Sequence, residues 1–448
     1  MPSPTRRGFL MGCSAAIAQL AGARLTHLAF GAPLTTPDHD IFVTIFLRGG
    51  MDGLNFVLPT FGPDRAFYEG ARTAIRVPAS GANAALPLGS FGGNDFGLHP
   101  GAAALHDLFQ DGRVAFVHAC GMATDSRSHF DTQAQIELGT PGVGTTATGW
   151  LTRHFQTAAL PPGIVMPALA VSSTIQTSFQ GSLDVVAMTN RDDFLLNTGP
   201  SDWRDEQKVA LRNILESNPG DPLYAKGVEA LDASTLVELN VPSAGSYLPA
   251  NGAVYPSGSF GDSLKLVAQL IKLGLGLRAA TLDLGGWDTH NGQGAAGAGT
   301  YFHDLVAQLS NGLANFYLDL DGPGSENYTS KLTVAVQSEF GRRLRENTDS
   351  GSDHGHGSVM TVLGGRINGG LWGAWPGLAN AQLYDGADLA VTTDFRTVLA
   401  ELLVERMGNP NVAAVFPGFA YPGPLGIATL FRDGFESGGT ARWSARVG

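Results

Sequence analysis

Four groups of side chains in this sequence carry chemistry-bearing atoms at positions where a chain commonly builds a site. They are Asp52; Ser126, Ser128 and His129; Asp288 with His290; and Glu339 with Asp353, His354 and His356. Carboxylate oxygens and imidazole nitrogens suit zinc and other borderline divalent ions, with manganese, magnesium and calcium as alternatives. Such an ion polarises a phosphoryl or sulfuryl oxygen. Each group has a bland reading when taken alone. Asp52 fits an ordinary turn, Ser128 a helix cap, and His354 with His356 a solvated glycine-rich loop. Trp287-Asp288-Thr289-His290 is harder to dismiss, because it follows a strand that ends in two glycines. Arg342 and Arg343 either hold an anionic substrate, the reading adopted for Arg342, or pair with local carboxylates.

The elements that must position these groups follow from apolar periodicity. Ile41–Leu47 is a β-branched and aromatic strand that stops at Arg48-Gly49-Gly50-Met51-Asp52-Gly53. Val114–Ala119 is a second strand, and a helical pattern running through Glu137 follows it, capped by Asp125 or Ser126. Ser263–Leu277 and Tyr301–Leu318 have helical spacing. Ala279–Leu284, Leu332–Gln337 and Val359–Leu363 read as strands, with a loop over Asp349–Gly357. The alternation predicts an α/β fold: a largely parallel central sheet with helices on both faces and ligands at the C-terminal strand edge. His99 and His118 read as structural.

Composition bounds the rest. The chain has 448 residues, 43% of them hydrophobic and 15% charged, which is enough apolar material for a large core. A net charge of −12 without a basic stripe argues against nucleic acid as partner. Two cysteines, Cys13 and Cys120, supply no disulfide framework. The N-terminal Ser3-Pro4-Thr5-Arg6-Arg7-Gly8-Phe9-Leu10, its weakly apolar continuation and Ala29-Phe30-Gly31-Ala32 form a twin-arginine signal over residues 1–32. The expected partner during export is therefore the twin-arginine translocase, and the destination is the periplasm or the exterior. The apolar run is too short for a stable membrane span. Residues 33–416 are expected to form one α/β domain with an insertion or cap at about 200–260. Residues 417–448 are expected to be a linker and a short tail like those ending other exported bacterial proteins.

The segments Phe46-Leu47-Arg48-Gly49-Gly50-Met51-Asp52-Gly53, Ser128-His129-Phe130-Asp131, Gly286-Trp287-Asp288-Thr289-His290 and Ser338-Glu339-Phe340-Gly341-Arg342 resemble an exported bacterial family. That family is the domain of unknown function 1501, grouped with the alkaline phosphatase and sulfatase superfamily. Asp353-His354 and Thr393-Asp394-Phe395-Arg396 extend the likeness over nearly the whole mature chain. The resemblance implies an alkaline-phosphatase-like fold. It also implies Asp52 as a metal ligand, Ser128 or Ser126 as nucleophile beside His129, and Asp288 with His290 as ligands of one ion. Glu339 and His354 or His356 would complete the set. Two departures, Phe340 in a usual histidine place and the one-residue gap between Asp288 and His290, argue against a complete two-zinc site.

The leading expectation is thus an exported metal-dependent hydrolase of phosphate or sulfate esters. The alternative is a non-catalytic exported binding or assembly protein that keeps the fold and one structural metal. A carboxylesterase would need Gly-x-Ser-x-Gly, and at Gly261-Asp262-Ser263 the closing position is Lys265. Neither a dinucleotide fingerprint nor paired cysteine ligands support a redox protein.

Overall fold

The computed structural model describes residues 39–142, 146–158, 166–182, 184–194, 203–217, 220, 222–241, 246–323 and 326–428. The twin-arginine segment and most of the expected tail lie outside them. The strands are β1 (Ile41–Leu47), β2 (Val57–Phe61), β3 (Leu86–Phe91), β4 (Asn94–Leu98), β5 (Val114–Gly121), β6 (Ala168–Ala170) and β7 (Val185–Ala187). They continue as β8 (Ala279–Leu284), β9 (Leu332–Ser338), β10 (Arg342–Glu346), β11 (Ser352–His354), β12 (Ser358–Gly364), β13 (Gly370–Gly373) and β14 (Thr393–Asp394).

A nine-stranded sheet runs in the order β13-β5-β12-β9-β1-β8-β6-β7, with β14 also on β5. It is mostly parallel; β12 alone among these strands runs antiparallel to its neighbours β5 and β9. All seven residues of β1 are buried, as a central strand covered on both faces requires. Its alternate side chains feed two cores. Ile41, Val43, Ile45 and Leu47 face one cluster, and Phe42 and Phe46 face the other.

The first core is closed by two helices with apolar stripes at helical spacing. Ser259–Lys272 contributes Phe260, Leu264, Val267, Ala268 and Ile271; Tyr301–Leu320 contributes Phe302, Val306, Leu309, Leu313 and Phe316. The second core is closed by Trp150–Thr157 and Phe395–Glu405. In the expected insertion, the helices Arg204–Glu216 and Pro222–Asn240 meet through Leu211, Leu215 and Leu231. Past the last helix, the Glu401 carboxylate accepts the backbone N–H groups of Leu425 (2.6 Å) and Ala428 (2.7 Å), tying down the end of the segment that reads as a linker. No helix among the described residues is long and apolar enough to cross a membrane.

Register explains why the chemistry gathers at one edge. Leu47 lies opposite both Leu284 and Ser338, so the loops after β1, β8 and β9 leave the sheet at one level. Ser358 pairs with Cys120 near the end of β5. Because β12 runs the other way, it is the segment before it, carrying His354, that arrives at that edge. Two features depart from the sequence expectation. The 349–357 stretch, read as loop, contains β11, which forms a hairpin with β10, and residues 57–98 form a separate sheet in the order β2-β4-β3.

Candidate metal centre

Asp288 follows β8 by four residues and is the hub of the cluster. Its Oδ1 lies 3.5 Å from His129 Nε2, 3.2 Å from His290 Nε2 and 3.3 Å from His354 Nε2, and it accepts from Arg342 Nη2 at 2.6 Å. One ligand atom each from His129, Asp288 and His354 falls within 4.8 Å of the others, the grouping among the described residues that could hold a metal ion. His290 Nε2 lies 2.8 Å from His354 Nε2.

Behind the three imidazoles stands a second layer of acceptors. His129 Nδ1 meets Glu339 Oε1 at 2.6 Å, His354 Nδ1 the Arg127 carbonyl at 2.8 Å, and His290 Nδ1 Asp353 Oδ1 at 3.0 Å. An acceptor at Nδ1 places the ring proton there and leaves Nε2 as a lone pair. The backbone carbonyl can only accept, so His354 is fixed most firmly. His129 Nε2 is buried and has no hydrogen-bond partner among the described residues. Two Nε2 atoms facing each other at 2.8 Å, with a third orphaned beside them, repel unless a cation or a proton lies among them. The donor set and its orientation therefore fit a borderline divalent ion, with histidines held by outer partners as metal ligands are.

Electrostatics favour ionised carboxylates and a neutral His354, and pull His129 the other way, toward its protonated form. Burial opposes ionisation of Asp288, but the bond and charge of Arg342, with the histidines, outweigh it and bring its pKa down to about 2. Burial likewise opposes ionisation of Glu339, and bonds from His129, Gln133 and the Gly49 N–H overcome it. Asp353 is held below the usual range by Asn347 and then His290. Burial lowers the pKa of His354, whereas the Glu339 bond raises that of His129.

The remaining candidates are placed as follows. Ser128, not Asp125 or Ser126, caps the helix His129–Leu138, its Oγ accepting from the Asp131 N–H at 3.4 Å; this sets Ser128 immediately before the cluster's His129. Ser126 Oγ accepts from the Ser128 N–H at 3.3 Å, and Asp125 is taken up by the Tyr384 hydroxyl. His356 lies apart, stacked on Tyr384 with ring centroids 4.1 Å apart, its pKa lowered by burial. Asp52 is fully buried and paired with fully buried Arg72 at 2.6 Å, and Gln293 also donates to it at 2.7 Å. Arg342, expected to meet an anionic substrate, is instead buried and donates to Gly49, Gly50, Trp287 and Ser352 carbonyls besides Asp288. A guanidinium engaged on five acceptors is a positioning group, since its donors are already spent on the loops it ties together.

Sequence reasoning missed Arg127, which acts through its carbonyl, and Gln133, which donates to Glu339 at 2.8 Å. The first has no side-chain signal at all. The second is readable only once the helix start is known, because Gln133 lies one turn beyond His129 on the same face. Arg72, 20 residues beyond Asp52 in sequence, carries no local mark of its pairing.

A mixed α/β protein with a histidine and carboxylate cluster at its sheet edge is the class these features define. The chain belongs to the DUF1501 family, described as a protein of unknown function, whose family model matches residues 40–409. No curated protein matches the chain.

Proposed function

We propose that the chain is an exported, metal-dependent hydrolase of phosphate or sulfate esters with an alkaline-phosphatase-like fold. The observation that carries the reading is the triple anchoring of His129, His290 and His354 through Nδ1, which turns every Nε2 toward Asp288 Oδ1 within 3.5 Å. His129, Asp288 and His354 would hold the ion, with His290 adjoining; zinc suits the donors best. When bound, a divalent ion supplies the charge that polarises the ester's non-bridging oxygen.

The protein's own groups do the rest. Arg342 keeps Asp288 ionised and in place, and Glu339 fixes the tautomer of His129. The N-terminus of the 129–138 helix directs backbone N–H groups toward an anionic ester at its mouth. Ser128, at that N-terminus, is the nucleophile: its Oγ gives up its proton to solvent and bonds to phosphorus or sulfur as the bond to the ester oxygen breaks and that oxygen leaves as an alcohol protonated by solvent. Water then cleaves the seryl ester, releasing phosphate or sulfate and restoring the Ser128 hydroxyl. Arg6-Arg7 and the segment after them support export through the twin-arginine translocase to the periplasm or beyond.

A second reading, a non-catalytic binding or assembly protein with one structural metal, is favoured by Phe340, whose ring centroid lies 4.9 Å from those of both His129 and His354 and closes one side of the cluster with an apolar surface. Elemental analysis of the mature protein, with assays on aryl phosphate, phosphodiester and sulfate esters, separates the two. Stoichiometric metal with turnover lost in Ser128→Ala and Asp288→Ala is the expected result. Metal without turnover selects the second reading, and absence of metal rejects both.

A further inference from the structure

We propose that the shallow cleft beside the metal centre binds a neutral sugar ring, the organic part of the ester. The cleft has a volume of about 310 Å³, at the small end for ligand sites. It starts where the cluster ends. Phe130 is the residue after His129, and Gln133, in its wall, donates to the Glu339 oxygen that holds His129.

The lining selects the ligand by exclusion and by fit. Its cation, Arg48, is engaged by Glu137 at 2.6 Å, Asp283 at 3.0 Å and Gln133 at 3.3 Å, so one positive charge faces two carboxylates and no free cation remains for an anion. The ester's charged group is therefore turned away from the cleft and toward the helix N-terminus and histidines. A quaternary ammonium would want several aromatic faces around it, and Phe130 is the single aromatic residue of this lining.

What the cleft does offer is hydroxyls and a carboxylate beside one exposed ring. Gln176 is buried at 8% exposure; its Oε1 accepts from Thr281 at 2.8 Å, and its Nε2 has no partner among the described residues. That amide nitrogen is itself buried from solvent, so the polar groups the wall presents are the hydroxyls of Ser172 and Thr174 and the carboxylate of Asp283. Phe130 is 87% exposed at the rim of the cleft and presents an apolar face to the C–H face of a pyranose. A polyhydroxylated ring satisfies donors and acceptors along its edge and stacks with its face, which matches this combination.

The inference rests on the hydrolase reading only for what the sugar is joined to; the binding itself needs no metal. The test is saturation-transfer NMR on the mature protein in chelator, with methyl glucoside, methyl galactoside, methyl mannoside, choline and inorganic phosphate as probes. At least one glycoside should bind, with affinity at least tenfold weaker in Phe130→Ala and reduced in Thr174→Val, and the same signal should persist in Asp288→Ala. No glycoside binding to the folded protein, equal binding in Phe130→Ala, or displacement by choline overturns the proposal. Metal stoichiometry measured on the same preparation reports separately on the metal centre, so either idea can fail while the other stands.

Discussion

Replacing Asp52 by Asn leaves the shape of a buried pair and removes one of its charges. Asp52 and Arg72 are both fully buried, 2.6 Å apart. At an effective dielectric constant of 20 that separation corresponds to about 6 kcal/mol of Coulomb attraction before desolvation. Removing one partner strands the other charge, which costs about 3–5 kcal/mol. The amide also brings one carbonyl where two carboxylate oxygens now accept from Asn55, Arg72 and Gln293. Asp52→Asn and Arg72→Met should each lower the urea-unfolding free energy by about 3–5 kcal/mol. The double variant should lose less than the sum, since it leaves no unpaired charge. Zinc content of the folded fraction should stay at the wild-type value, because Asp52 stands outside the histidine cluster. The reasoning fails if the single variants unfold like wild type, if the losses add, or if Asp52→Asn alone strips the metal.

Glu339→Gln should keep the fold yet weaken zinc binding about 10–100-fold, measured by calorimetric titration of chelator-stripped protein, because the partner of His129 Nδ1 loses its charge; unchanged affinity would contradict the role given to the carboxylate. Gly49→Ala should both destabilise the protein and lower zinc occupancy, since φ is +123° and a Cβ would stand 2.4 Å from the Asp288 backbone N. A crystal structure of that variant with Asp288 unmoved would refute the coupling. Burial lowers the pKa of His99 and His118 to about 3 and of His154 to about 4. The unfolded chain takes up these protons first, so their contribution is complete above about pH 6.5 and is lost as pH falls toward 4, at up to about 4 kcal/mol per pH unit for three groups. His118→Leu should flatten the stability profile between pH 6 and 5 by about 1.4 kcal/mol per unit; an unchanged slope would show that His118 is not held neutral. Replacing Arg6 and Arg7 by Lys should leave uncleaved precursor inside the cell, as seen by immunoblot of fractions; normal export would rule out the twin-arginine route.

By itself the sequence determined the elements whose periodicity is strong. Ile41–Leu47 and Ala279–Leu284 are the strands expected, and Tyr301–Leu320 extends the expected helix by two residues, because continuous apolar runs and one-sided stripes leave little choice. It also marked Asp288, His290 and Glu339, since polar residues that follow strands sit at the sheet edge by topology, and His354 within the glycine-rich 349–357 segment. Tertiary structure decided what each of them touches. The reversed direction of β12 brings His354 to Asp288 across 66 residues, and a register of this kind has no local signature. Asp52 and Arg342 show the limit most clearly. Their types suit a metal and an anion, yet burial gave each a partner within the protein, and the desolvation of an unpaired charge makes that pairing obligatory.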